Sequence, residues 1–216
     1  MPFAVSPQSV DLGSFLVGAS AQVTFSITAA ETITDLSVRL GGIQLSEDPT
    51  STCTANLADG ETCSVVVNFS ATTPDLGSDS LIVSAAGDMV VVPVKALVRT
   101  PAELLISPPV VQFFATMNGA SSSFSFAIGN GGESASGPLV VALSGADAWL
   151  FSVVNSTCTG PLAPGAVCLV MLVFNPRLAD GGAVPSTMTT ATFTVTDTGV
   201  SGSVVSATLT GNITSP

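Results

Sequence analysis

Cys158-Thr159-Gly160-Pro161-Leu162-Ala163-Pro164-Gly165-Ala166-Val167-Cys168, running on into Leu169-Val170-Met171-Leu172-Val173-Phe174, decides the fold, because the chain carries this unit twice. The other copy reads Cys53-Thr54-Ala55-Asn56-Leu57-Ala58-Asp59-Gly60-Glu61-Thr62-Cys63, followed by Ser64-Val65-Val66-Val67-Asn68-Phe69. These are the only 4 cysteines in the chain. A Cys-x9-Cys unit repeated at a constant offset implies two domains with one disulfide each. Three pairings are formally open, and only Cys53–Cys63 with Cys158–Cys168 respects the repeat. Matched cysteine pairs of this kind belong to an oxidising compartment. A zinc site needs closer spacing, usually with histidine, and the chain has none. A redox pair favours Cys-x-x-Cys beside positive charge. The cysteines therefore read as structural staples.

Outward from this unit, the periodicity is that of strands. Val23, Phe25 and Ile27 alternate with Gln22, Thr24, Ser26 and Thr28, and Phe124, Phe126 and Ile128 repeat the pattern. Cys63, Val65, Val67 and Phe69 share one face, as do Cys168, Val170, Leu172 and Phe174. Turn residues recur about every ten positions, the signature of an antiparallel sandwich. The fold class is all-β: two tandem sandwiches of seven or eight strands, assigned to residues 1–99 and 100–216. Arg99-Thr100-Pro101-Ala102-Glu103 is the join, a short linker expected to hold the domains end to end with limited swing. Differences in length between the copies are expected in loops, at Asn130 to Pro138 and Leu178 to Thr187.

Composition narrows the partners. Of 216 residues only 9% are charged, against roughly 25% in a typical soluble domain. With 15 acids, 4 bases and a net charge of -11, the chain lacks the clustered cations that nucleic acid or an anionic membrane surface requires. Mean hydropathy is +0.64. The longest apolar stretch, Met89 to Val98, is broken by Pro93 and Lys95, so direct membrane insertion by a helix is not expected. Met1 to Ser6 does not read as an export signal. For an exported protein the expectation is that the signal has been removed or that the sequence is an excised segment.

No catalytic constellation emerges. Without histidine the usual serine triad cannot form, and Lys95 alone could serve a Ser–Lys dyad. The acid clusters Glu47-Asp48, Asp59 with Glu61, and Asp75 with Asp79 match no calcium loop and read as solvated loop acids. No metal or other cofactor is expected. Trp149, the only tryptophan, reads either as a plug against the disulfide loop or as an exposed stacking platform. Leu169, Met171 and Val173 lie opposite the core-facing residues of their strand, where the first copy places Ser64 and Asn68. Either a loop covers that face, or it is a contact surface for the first domain or another molecule.

Taken in order, these elements resemble the bacterial choice-of-anchor D and abnormal-spindle/Hydin-type immunoglobulin-like repeats. The resemblance rests on Val10-x-Leu12-Gly13, Val17-Gly18, the alternating strand, the Cys…Leu-Ala-x-Gly-x-x-Cys unit, Phe174-Asn175-Pro176 and Leu209-Thr210-Gly211. The first copy departs from the pattern, with Phe69-Ser70-Ala71 and Leu97-Val98-Arg99 at the last two. The resemblance implies tandem immunoglobulin-like sandwiches serving as spacers or protein-contact modules of secreted or surface proteins. The expected role is a rigid, non-catalytic structural or adhesive segment, extracellular, surface-bound or periplasmic, whose partner is protein, including further copies of itself. One alternative is an extracellular binding module for carbohydrate or protein. A second is a periplasmic chaperone, for which only Lys95 and Arg99 near the join could anchor a client carboxylate.

Overall fold

A computed structural model describes residues 1–115, 120–176 and 188–213, with residues 75–78 and 115 described by their backbone alone. The insertion at Leu178 to Thr187 lies outside the described residues, apart from Thr187's neighbour Met188, which opens a strand. The chain gathers into two compact units, Met1–Thr100 and Pro101–Pro216. Unit 1 holds β1 Phe3–Ser6, β2 Val10–Leu16, β3 Ser20–Ala29, β4 Ser37–Gly41, β5 Leu45–Glu47, β6 Thr62–Ser70, β7 Asp75–Ala85 and β8 Asp88–Arg99. Unit 2 holds β9 Leu104–Ser107, β10 Val110–Ala115, β11 Ser122–Asn130, β12 Leu139–Ser144, β13 Phe151–Ser156, β14 Val167–Phe174, β15 Met188–Asp197 and β16 Val204–Ile213. A 3-10 turn, η1 Ala148–Leu150, precedes β13.

Each unit consists of two 4-stranded sheets, in the orders β1-β3-β6-β5 and β2-β8-β7-β4, and β9-β11-β14-β13 and β10-β16-β15-β12. This is the strand order of an immunoglobulin-like sandwich whose first strand is shared between the sheets. Pairing is antiparallel except at β2–β8 and β10–β16, which run parallel. The cause is a crossing. The chain leaves β1 at Ser6-Pro7 and β9 at Ser107-Pro108, both cis, and continues beside the last strand of the opposite sheet. Because of the crossing, β2 meets β8 only from Val94 onward.

The alternation seen in the sequence sets the cores. Phe25, Ile27, Val65, Val67, Leu81, Val83 and Val92 pack together in unit 1. Phe126, Ile128, Val170, Leu172, Phe174, Phe193 and Leu209 do so in unit 2. Each such side chain, removed from water, contributes about 1.5–3 kcal/mol. Phe124 sits where its sheet ends and is exposed, its ring 5.2 Å from that of Phe126.

The repeated glycine has a local reason. Glu61 N–H donates to the Ala58 carbonyl (3.0 Å) and Ala166 N–H to that of Ala163 (3.0 Å), closing matching four-residue turns. Their third residues, Gly60 (φ 76) and Gly165 (φ 70), occupy the left-handed region that only glycine enters without cost. The disulfides Cys53–Cys63 and Cys158–Cys168 have Cα separations of 4.9 and 5.2 Å. Neither links the two sheets as in antibody domains. Each ties the preceding loop to the start of β6 or β14. Beside them Thr52 N–H donates to the Ser64 carbonyl and Thr157 N–H to that of Leu169, both at 2.8 Å.

Among the described residues two acids are buried, and neither is a solvated loop group. Asp79 lies within β7, 8% exposed, and Gly42 packs so closely that an added Cβ would overlap its carboxylate. The reading of the Asp75/Asp79 pair as loop acids is therefore corrected: this segment is strand, and Asp79 shares the inward side with Leu81 and Val83. Asp197 ends β15. Burial pushes its pKa up, but donation from the Ser201 hydroxyl and the Gly199 and Gly137 amides outweighs this and holds it below the usual carboxylate range.

Candidate functional site

The strand with two apolar faces is β14, second from the edge of its sheet. Cys168, Val170, Leu172 and Phe174 point inward and are buried. Leu169 is 50% exposed and Met171 37%, so no described loop covers this face, and Val173 is half-buried. Register extends the surface across the sheet. Val167 lies beside Gly129, Leu169 beside Ala127, Met171 beside Ser125 and Val173 beside Ser123. On the far side of β11, Leu105 pairs with Gly129. The exposed side chains of Leu105, Val167 and Leu169, with the small Gly129 and Ala127 between them, make a flat apolar corner. Serines at Ser123, Ser125 and Ser152 surround the other end of the strand.

The surface is thus centred lower than the sequence implied. Leu105 and Val167 belong to it, while Val173 sits among serines. The missed signal was the uninterrupted Leu104-Leu105-Ile106. In a half-buried strand the middle residue of such a run must face outward.

Unit 1 offers the same site with different chemistry. β6 takes the place of β14, with Thr62, Ser64, Val66 and Asn68 where β14 has Val167, Leu169, Met171 and Val173. Thr28 and Thr62 hydroxyls hydrogen-bond at 2.9 Å, and those of Thr52 and Ser64 at 3.1 Å. Gln22 Nε2 donates to Asn68 Oδ1 (3.0 Å), and Asn68 Nδ2 donates to Asp48 Oδ2 (2.9 Å). Asp48 also accepts from the Thr50 hydroxyl and amide. Donation from the Thr50 hydroxyl, the Asn68 amide and the Thr50 N–H lowers its pKa to about 2.

Of the two readings of Trp149, the plug is the one that is corrected. Trp149 does not plug the disulfide loop but is 57% exposed on η1, while its neighbour Leu150 is buried. Phe151 pairs with Phe174, so Trp149 stands past the far end of β14. At 3.3 Å per residue it is roughly 17 Å or more from Leu169, so the two do not form one patch. Among the described residues, no three His, Cys, Asp or Glu side chains gather where they could hold a metal ion. Likewise, no helix is long and apolar enough to cross a membrane.

No protein-family model matches the chain, and no curated protein matches it by sequence. Solved structures do match. The EC1-3 segment of mouse clustered PcdhgC3 aligns with 98% of this chain and 67% of its own, at 10% identity and a TM-score of 0.59. The EC22-24 segment of mouse Cadherin-23 aligns with 99% of this chain and 65% of its own, at 13% identity and a TM-score of 0.52. The chain thus spans about two thirds of each. The ASH / PapD-like domain 7 of human CEP192 aligns with 53% of this chain and 87% of its own, at 15% identity and a TM-score of 0.37. At such identities the likeness is one of fold, and the fold is a tandem of immunoglobulin-like β-sandwiches.

Proposed function

We propose that this chain is a non-catalytic immunoglobulin-like module of an exported or cell-surface assembly, of the choice-of-anchor D/abnormal-spindle–Hydin repeat type, with domains at residues 1–99 and 100–216. It makes protein–protein contacts through the outer face of β14, first of all with further copies of itself. One observation carries this reading: Val167 and Leu169 are exposed where unit 1 places the hydrogen-bonded Thr62 and Ser64, and the exposed Leu105 and Met171 beside them extend the patch where unit 1 has the smaller Ala4 and Val66. An apolar patch costs solubility, and in a chain this rich in serine and threonine it is out of keeping with the rest of the surface. The two disulfides fit an oxidising compartment.

Light scattering over a concentration series tests it. Association is expected to strengthen with salt, because each copy carries a net charge of -11 and salt screens the repulsion. Leu169→Ser, the residue unit 1 has there, combined with the polar Met171→Thr, is expected to weaken it at least tenfold while moving stability by less than about 0.5 kcal/mol. A monomer at every concentration would remove self-association and leave a contact with another protein.

The exposure of Trp149 favours a second reading, carbohydrate binding by stacking on the indole. As the sole tryptophan, it reports directly. A saturable fluorescence change on titration with oligosaccharides, lost in Trp149→Ala, would support this reading over the first.

A further inference from the structure

A second surface lies in unit 1, where the crossing of the first strand leaves the beginning of β8 without a neighbour on one side. The β7–β8 hairpin turns through Ala86 (φ 51) and Gly87 (φ 83), the two positive φ values of a type I′ turn. Such a turn is closed by a hydrogen-bonded pair, here Ala85 and Asp88. Hydrogen-bonded and non-hydrogen-bonded pairs then alternate along the ladder. Met89, Val91 and Pro93, opposite Ser84, Ile82 and Ser80, fall in the non-bonded class. Pro93 agrees, since its missing N–H costs the ladder nothing there. The N–H and C=O groups of Met89 and Val91 therefore point away from β7. β2 does not reach them, because its register with β8 begins at Val94, and no other backbone hydrogen bond among the described residues engages them.

Beside this open edge is a cavity of about 500 Å³, lined by Phe3, Ala4 and Val5 of β1, by Gln8 and Ala30, and by Val90 and Val91 of β8. Met89 is 63% exposed and Val91 50%. Unit 2 treats the same place differently. There a longer β15–β16 connection brings Ser203 to β9, where its hydroxyl accepts the Leu104 N–H at 3.0 Å. Near the opening in unit 1 are Asp88, which precedes Met89, and Glu31, which follows Ala30 of the cavity wall, whereas Asp35, whose carboxylate accepts the Ala86 N–H at the hairpin tip, lies across β7 from this edge. Lys95 and Arg99 lie toward the other end of β8.

We propose that this slot accepts an extended peptide segment of a partner protein, added as a strand along Met89–Val91. The segment is about five residues long, with apolar side chains at alternate positions and basic residues at the end that meets Asp88 and Glu31. Its backbone completes the unmet hydrogen bonds of Met89 and Val91, and one apolar side chain fills the cavity. The acidic rim selects the basic flank and disfavours a second copy of this chain, which carries only 4 basic residues.

The test is amide NMR on the oxidised full chain, titrated with the acetylated, amidated peptide Lys-Lys-Val-Thr-Val-Thr-Val. The expected result is saturable shifts centred on Met89 and Val91. Val91→Pro, which removes an outward N–H as Pro93 already does, should weaken binding at least tenfold. Ala4→Trp, which fills the cavity from exposed β1, should do the same. Methylating alternate peptide amides should abolish binding, whereas Leu169→Ser with Met171→Thr should leave it unchanged, separating this site from the β14 face. No saturation up to several millimolar would overturn the proposal. So would equal binding of a Lys-Lys-Gly-Ser-Gly-Ser-Gly control, or shifts at Met89 and Val91 that depend only on protein concentration.

Discussion

β6 and β14 hold the same place in equivalent sheets, yet only their inner faces agree. Inward they read Cys63, Val65, Val67, Phe69 and Cys168, Val170, Leu172, Phe174, all buried. Outward one is a web of hydroxyls and amides around Asp48, and the other is Leu169 and Met171 open to solvent. The difference separates two kinds of constraint. A packed core fixes side-chain volume and polarity wherever the fold recurs. The outer face carries no such demand, so an apolar outer face must be explained by something other than folding.

The strongest check on the shared half is the disulfides. They close equal loops, each with a sequence separation of 10, onto equivalent strands. Each should stabilise its own unit by about 2–3 kcal/mol on the chain-entropy model. Cys53→Ala with Cys63→Ala should lower the denaturation midpoint of unit 1 alone, and Cys158→Ala with Cys168→Ala that of unit 2, each followed by unit-specific hydrogen exchange. Losses differing by more than about 1 kcal/mol would show that the two staples are not equivalent.

What the sequence disclosed follows the same division. Residues whose environment is set by alternation within one strand could be read directly: the inward rows of β3, β6, β11 and β14, and the cysteines that begin two of them. Properties that depend on another strand could not. Leu105 joins the exposed patch only because the register sets it beside Gly129. Asp79 is buried because Gly42, far away in sequence, closes over it. Trp149 sits on a short 3-10 turn, which no period-2 or period-3.6 pattern announces. The open edge of β8 requires both the turn geometry and the crossing at Ser6-Pro7.

A somewhat smaller effect tests a place where the cores themselves diverge. Gly211 takes the inward position that Ala96 holds in unit 1, two residues past the Val111–Leu209 pair as Ala96 is two past the Val10–Val94 pair. The Phe174 ring lies over Gly211, and a Cβ there would overlap it. In unit 1 Phe69 instead meets Phe15, at a ring separation of 5.1 Å. Gly211→Ala should therefore destabilise unit 2 by about 1–3 kcal/mol through overpacking, seen as a lower midpoint in its urea transition. An unchanged midpoint for Gly211→Ala would mean that Phe174 has room to turn aside.

The smallest effect concerns the polar outer face, through Asp48. Its carboxyl titrates at about 2 when folded, against an ordinary value of 3.8, because Thr50 and Asn68 donate to the ionised form. A depressed folded pKa means that the contribution is complete above the ordinary value and is lost as pH falls through the folded one. The loss should therefore run from about pH 4 down to about 2. The group is exposed and water screens it, so the change in unit 1 stability should be slight. The carboxyl carbon of Asp48 followed by NMR should show the low midpoint directly. Asn68→Val, which gives β6 the residue that β14 has, should move that midpoint upward by removing one of the donors. A midpoint already at the ordinary value would mean that the network does not persist in solution, and that the outer face of unit 1 is polar without being tied together.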